Sequence, residues 1–387
     1  MDPFFDDIRH KVNLVDGQSM DAETQQLVQQ CFDHFMSPGK NGLDMSHFET
    51  LVSQLFTDCG LHSPSSFSLQ AFRVFDANRD GLIDVSEFQE MWIKWIQVIL
   101  RPRSALIVVD VQNDFISGSL KIPDGEEVIP VINGLIHDVA FDLVVYTKDW
   151  HDSDHISFFE NLRRRRSVNA DGSALTPAEL DRIRVLHTVT FDVDKGVKQT
   201  LWPTHCVQGS RGAELHPDLI IRQENSIEIL KGNDSHADSY SAFRDNEDKE
   251  ETSLNNDLME RCITDVYISG LAYDFCAGYT ALHAIQYGFR TVIVDDAIRG
   301  VDEIAIQQMK DRLIRNGALI VRSDEVQAMV RGEVRSSELR HYLLQHLATG
   351  SVAREQDLVL KQRPKTKWRS MIARLSTTFS RKSIFKQ

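Results

Sequence analysis

A single cysteine, Cys276, stands in the stretch GLAYDFCAGYT, six residues past the apolar run DVYISG and directly before a predicted helix. A cysteine there can be core packing, half a disulfide, a metal ligand or a nucleophile. Other chemistry-bearing residues fall at comparable places: Asp110 ends the run ALIVVD, Asp149 ends DLVVYTKD with His151 just beyond, and Lys231 lies near the end of SIEILKG. A thiol beside an ammonium and at a helix N-terminus gains support for its thiolate, and a nearby carboxylate can take its proton, so this set can run a nucleophilic reaction. Asp149 with His151 is a metal-ligand pair. The same residues also admit a structural reading, in which Lys231 and Asp110 form a buried ion pair and Cys276 fills a gap between helix and sheet.

What must position these residues is a set of short runs rich in Val and Ile, alternating with helical stretches from residue 104 onward. The predicted strands are 105–110, 142–149, 226–232, 265–270, 291–296 and 318–322. Near-continuous apolar strands separated by helices imply a parallel sheet covered on both faces. In such a sheet ligands bind outside the carboxyl ends of the strands. Asp110, Asp149, His151, Lys231 and Cys276 then share one rim, although the first and last are 166 residues apart. The fold class expected is α/β, a three-layer doubly wound and mostly parallel sheet, preceded by an all-α segment.

The chain of 387 residues is long enough for two or three domains, and 42% hydrophobic residues can fill their cores. Its acidic start lacks the features of a secretory signal, and no apolar run approaches the ~18 residues of a membrane span. The five cysteines are scattered, odd in number and without CxxC spacing, which argues against a disulfide framework. A soluble, cytoplasmic protein is expected. Net charge is −14, but residues 361–387 hold nine Lys or Arg and no acid, which leaves −23 on the first 360 residues. So acidic a body argues against a nucleic-acid partner.

Residues 76–87, DANRDGLIDVSE, place oxygen ligands at Asp76, Asn78, Asp80, Asp84 and Glu87, with the Leu82 carbonyl between and Gly81 at the turn. This spacing wraps one hard cation, Ca2+, with Glu87 giving two oxygens. Helical patterns flank it. A degraded copy lies 40 residues upstream at 36–47, MSPGKNGLDMSH, where Met36, Pro38, Lys40 and His47 replace the ligands. The pair resembles an EF-hand domain over residues 1–100, with a working loop and a packing partner that binds no calcium.

The blocks VVDVQNDF, KDWHDSDHISF, WPTHCVQGSRGAELHP, ILKGNDSHADSYSAF and ISGLAYDFCAGYTALHA resemble, in order, the motifs of the nicotinamidases within the isochorismatase-like cysteine hydrolases. The resemblance covers 104–325. It implies hydrolysis of nicotinamide to nicotinate in NAD salvage, with Asp110 as general base, Lys231 polarising the site and Cys276 attacking the substrate. It further implies a zinc, iron or manganese ion on Asp149, His151 and His205, with His155 a ligand in only some members. The Leu271-Ala272 bond would be cis, and N–H groups of Ala272 and Cys276 would form the oxyanion hole. Phe115, Trp202 and Tyr240 are the expected aromatic walls, each also readable as plain core. Two other readings stay open: a cysteine amidohydrolase of carbamoyl or ureido substrates, and a calcium-binding scaffold with an inactive hydrolase domain. Calcium modulation and a homo-oligomer are compatible with the sequence.

Relative to compact bacterial members, the segment between His155 and His205 is enlarged. Its run Arg163 to Arg166 reads as a solvated element, with contact to the acidic EF-hand domain as a hypothesis. Residues 326–360 suggest a helical extension. Residues 361–387 space Trp368, Met371, Ile372, Leu375 and Phe379 at helical intervals among basic residues, suiting an anionic membrane surface, an EF-hand groove within the chain, or a disordered tail.

Overall fold

The structure, a computed structural model, describes residues 3–9, 20–37, 39–55, 65–193 and 196–333. Most of the expected extension and all of the basic segment 361–387 lie outside the described residues. The chain divides into two compact units, one built mainly on residues up to 104 and the other on 105–261 and 266–324. No helix among the described residues is long and apolar enough to cross a membrane.

The first unit is helical: Pro3–Arg9, Ala22–Phe35, Met45–Leu55, Ser65–Phe75 and Val85–Met91, the last continuing through a π-helical turn, Trp92–Ile96, into Gln97–Leu100. Apolar residues three and four apart, such as Leu27, Val28, Cys31, Phe32 and Phe35, turn one stripe of each helix inward. They meet Phe48, Leu51, Phe88, Trp92 and Trp95 in one core. The two loops pair through Leu43 and Ile83, each donating its N–H to the other's carbonyl at 2.9 Å.

Loop 76–87 holds its oxygen ligands inward by donors from its own backbone. Asp76 accepts from the Asp80 and Gly81 N–H groups at 3.1 and 3.2 Å, and Gly81 takes a φ of +84° at the turn. Glu87 accepts from Ala77 at 2.9 Å and from Asp84 at 3.1 Å, while Asp84 caps the helix that Glu87 enters. The capping box is thus made by two of the expected calcium ligands, Asp84 and Glu87. In the upstream loop the one carboxylate, Asp44, is paired with the Lys40 ammonium, and Ser37 Oγ lies 2.7 Å from His47 Nε2. A lysine thus faces the one carboxylate of this loop. Glu87→Gln is expected to weaken calcium binding at least about tenfold, because it removes a charged bidentate ligand. Calorimetric titration that shows unchanged affinity would contradict the assignment of loop 76–87.

Among the described residues the second unit has nine strands: β1 (Ser104–Val109), β2 (Leu143–Asp149), β3 (Ser167–Val168), β4 (Thr188–Phe191), β5 (Val197–Thr200), β6 (Ser226–Lys231), β7 (Asp265–Leu271), β8 (Arg290–Arg299) and β9 (Leu319–Val321). Six form the main sheet in the order β6-β2-β1-β7-β8-β9, a doubly wound pattern in which β1/β2, β2/β6 and β8/β9 run parallel. All residues of β1, β2 and β7 are buried, as expected for strands covered on both faces.

The unexpected element is a second, three-stranded sheet, β3-β4-β5, with antiparallel pairing, inside the enlarged segment before His205. It has a small core of its own made by Ile156, Leu162, Val189, Phe191, Val197 and Leu201. The arginine run beside it is only partly a solvated element. Arg163, Arg164 and Arg166 are exposed and pair with Asp181, Asp154 and Asp192, whereas Arg165 is mostly buried and joins Asp154 to the Ser235 carbonyl.

Candidate active site

The register of the main sheet brings the strand ends together: Asp149 of β2 pairs with Lys231 of β6, and Asp110, just past β1, continues the pairing through its N–H to the Thr147 carbonyl. Cys276 begins the helix Cys276–Gln286 after β7. Lys231 is the hub. Its ammonium lies 2.9 Å from Asp110 Oδ2, donates to Asp149 Oδ1 and to the Ser239 carbonyl, and stands 3.3 Å from Cys276 Sγ. Thr147 Oγ1 donates to the other Asp110 oxygen at 2.6 Å. All of these side chains are buried.

Burial pushes the Cys276 thiol up; Lys231 pulls it down, as expected of a cation beside a nucleophile, and Asp149 and Asp110 oppose that pull. One ammonium serves two carboxylates and faces the sulfur as well. Burial also raises Asp110 above the ordinary carboxylate range, against the pull of Lys231, which makes it a better proton acceptor. Burial alone would lower Lys231, but Asp110 and Asp149 outweigh it and keep it protonated.

The second oxygen of Asp149 faces the metal-type ligands, 3.7 Å from His151 Nε2 and 3.9 Å from His205 Nε2. Each imidazole donates its Nδ1–H to a backbone carbonyl, His151 to Gly232 at 2.9 Å and His205 to Pro203 at 2.8 Å. That fixes the tautomer and leaves both Nε2 lone pairs aimed at the same space, with ligand atoms within 4.8 Å of one another. Gly232 must be glycine here, since a Cβ would sit 2.4 Å from the His151 ring. Burial lowers His205 to about 4, whereas at His151 the pull of burial is outweighed by Asp149, which raises the imidazole. Two imidazoles and a carboxylate with their lone pairs converging fit a divalent transition metal. His155 stacks on His151, and its ring nitrogens are engaged by Ser157 Oγ and the Ala237 carbonyl.

Several supporting residues lie within the quoted sequence blocks but were given no role there. Gln112 brackets Asp149 by donating to its carbonyl and accepting its N–H, at 2.8 and 2.9 Å. Asp114 accepts the Cys206 N–H at 2.8 Å and so anchors the residue next to His205. The His205 segment is further tied to His151 by the His151 N–H to Cys206 carbonyl bond.

One cavity opens on Cys276, Asp149 and His205. Phe115, Trp202 and Tyr240 line it, and Leu120, Lys121, Ile122, Leu186, Asp238, Ala272, Phe275 and Val301 complete its wall. Trp202 and Tyr240 both contact Phe275 edge-on. The Leu271-Ala272 peptide is cis, and the Ala272 carbonyl accepts from Phe275 and Ala277 at 3.0 and 3.1 Å. The Val301 side of the cavity is held by Asp274, which accepts the Val301 and Asp302 N–H groups.

Burial raises Asp274 to about 6 despite those two donors. The folded chain therefore binds this proton more tightly than the unfolded chain. The resulting stabilisation is full below the ordinary value of 3.8 and is lost as pH rises through about 6. Asp274→Asn drops the charge but keeps only one of the two accepting oxygens. Its stability relative to wild type is therefore expected to be better near pH 7.5 than near pH 4, as measured by the unfolding midpoint. A relative stability that falls between pH 4 and pH 7.5 would contradict this.

Comparison with known proteins gives the same outline. Residues 104–325 match the family described as Isochorismatase domain, and residues 69–92 match EF hand. The chain is 36% identical over 204 residues to a nicotinamidase of Escherichia coli, covering 52% of this chain and 85% of that protein. It is 35% identical over 217 residues to a nicotinamidase of Saccharomyces cerevisiae, covering 54% and 94% of the two chains. A solved Acinetobacter baumanii nicotinamidase/pyrazinamidase superposes with a TM-score of 0.50 at 38% identity, covering 58% of this chain and 98% of its own.

Proposed function

The chain belongs to the isochorismatase domain family, and from its site we propose that it hydrolyses nicotinamide to nicotinate and ammonia, a step of NAD salvage. The observation that carries this reading is the Lys231 ammonium held between Asp110, Asp149 and Cys276 in a cavity walled by Phe115, Trp202 and Tyr240. An aromatic slot with a thiol at its floor suits a flat ring bearing a carboxamide.

Asp110 takes the Cys276 proton as Sγ attacks the carboxamide carbon. The N–H groups of Ala272 and Cys276 receive the oxyanion, backed by the N-terminus of the helix Cys276–Gln286. Asp110 returns the proton to the departing nitrogen, ammonia leaves, and a thioester remains on Cys276. Asp110 then accepts a proton from water as its oxygen attacks the thioester; nicotinate forms and Sγ recovers its proton. Lys231 holds the two carboxylates in place and offsets the negative charge that appears when the thiol proton moves. Asp149, His151 and His205 would hold a zinc, iron or manganese ion, whose open positions accept a pyridine nitrogen and orient the ring. Loop 76–87 would hold calcium.

The test is release of ammonia and nicotinate from nicotinamide by the purified metal-loaded protein, with benzamide beside it. One-to-one products are expected, with benzamide at least about 100-fold poorer because a buried acceptor site for the ring nitrogen is left unfilled. No nicotinate from folded protein would overturn the proposal.

A further inference from the structure

One residue of the cavity wall comes from the stretch that leads into β4. Leu186 comes from the enlarged segment that also forms β3-β4-β5, and its side chain lines the cavity together with Trp202 and Cys276. The backbone of this stretch extends the β4/β5 pairing: the Leu186 N–H donates to the Leu201 carbonyl at 2.6 Å, and the Leu201 N–H to the His187 carbonyl at 2.9 Å. In a regular strand, side chains alternate between faces, so residue 186 would share the face of Thr188, which is exposed. Leu186 instead is 3% exposed, and its φ is +70°. A branched side chain in the left-handed region is disfavoured, and such an outlier persists only where the surroundings hold it. Here the departure from strand geometry has a definite result: Leu186 is outside the small core of Ile156, Leu162, Val189, Phe191, Val197 and Leu201 and is buried at the cavity instead.

The segment is also braced against the site. Gln199 of β5 is buried and donates to Asp238 Oδ2 at 2.8 Å, and Asp238 lines the same cavity. Arg165 ties the Asp154 and Ser235 loops together. Leu186 is therefore presented by a supported hairpin, not by a loose loop.

We propose that Leu186 is a specificity-determining residue that confines this cavity to single-ring aromatic carboxamides and excludes fused two-ring ones; the proposal rests on the nicotinamide reading above. A Leu side chain removed from the wall leaves room on the scale of the extra ring carbons, and hydrophobic pockets discriminate by such steric increments.

The experiment compares kcat/KM for nicotinamide and for quinoline-3-carboxamide in wild type, Leu186→Ala, Leu186→Gly and Leu186→Met. Glycine tolerates the left-handed φ, so it keeps the test alive if the alanine variant folds poorly. The ratio of quinoline-3-carboxamide to nicotinamide is expected to rise at least about tenfold in the alanine and glycine variants. It should stay within about twofold of wild type in the methionine variant, which conserves volume. A ratio unchanged in folded Leu186→Ala or Leu186→Gly that still consumes nicotinamide would overturn the proposal. A wild type that fails on nicotinamide itself would instead overturn the assigned activity.

Discussion

Cys276→Ala is expected to abolish nicotinamide hydrolysis, lowering kcat by about 10⁴-fold or more, while the protein keeps its fold and its metal. The size of the effect follows from the geometry. Asp110 and Lys231 lie at the sulfur, and Cys276 is the only thiol among the described residues that line the cavity. The variant removes one buried sulfur at a helix start, so its unfolding midpoint should fall little. The check is steady-state turnover beside thermal unfolding and bound-metal content. Turnover within tenfold of wild type in the folded, metal-loaded variant would remove Cys276 from the mechanism.

Lys231→Met has the second large effect, and it separates stability from catalysis. The ammonium is completely buried and is shared by Asp110 and Asp149, so its loss leaves two carboxylates close together without a counter-charge. Breaking a buried ionic group in this way costs about 3 to 5 kcal/mol, and turnover should drop by about 10² to 10³-fold or more. The stability deficit has a predictable pH dependence. Without the lysine the folded-state values of both carboxyls rise, so the folded variant binds protons more tightly than its unfolded chain. The deficit against wild type therefore shrinks as pH falls. Urea unfolding near pH 7.5 and near pH 5 measures this. Equal stability of the two proteins at the higher pH would mean that Lys231 is not the charge that holds the cluster.

The parts of the molecule legible in its sequence are those where chemistry is written in residue type and spacing. The six main strands were visible as apolar runs because a sheet buried on both faces requires them, and the observed bounds lie within a few residues of the expected ones. Asp110, Asp149, Lys231 and Cys276 were visible because strand ends at one rim are where such a sheet places its ligands. The calcium loop was visible as a fixed spacing of oxygens.

What stayed hidden depends on the backbone or on burial. The β3-β4-β5 sheet is made of short strands such as Val197–Thr200, where Lys198 is exposed and the buried Gln199 is polar, so it shows no apolar run. Gln112 and Asp114 act on backbone groups of Asp149 and Cys206, and such bonds leave no pattern of residue types. The upward push on the Cys276 thiol comes from how deeply the cluster is buried, with Lys231 pulling against it and Asp149 and Asp110 adding to it, none of which is a property of spacing. Leu186 reads as an ordinary apolar residue, and only its φ and the cavity reveal where its side chain goes.

The most direct test of the central claim is acid quenching of the wild-type protein during nicotinamide turnover, followed by peptide mass mapping. The account predicts a nicotinoyl group on the peptide containing Cys276, labile to hydroxylamine as a thioester is. Turnover with Cys276 unmodified at every quench time, and undiminished in Cys276→Ala, would contradict it.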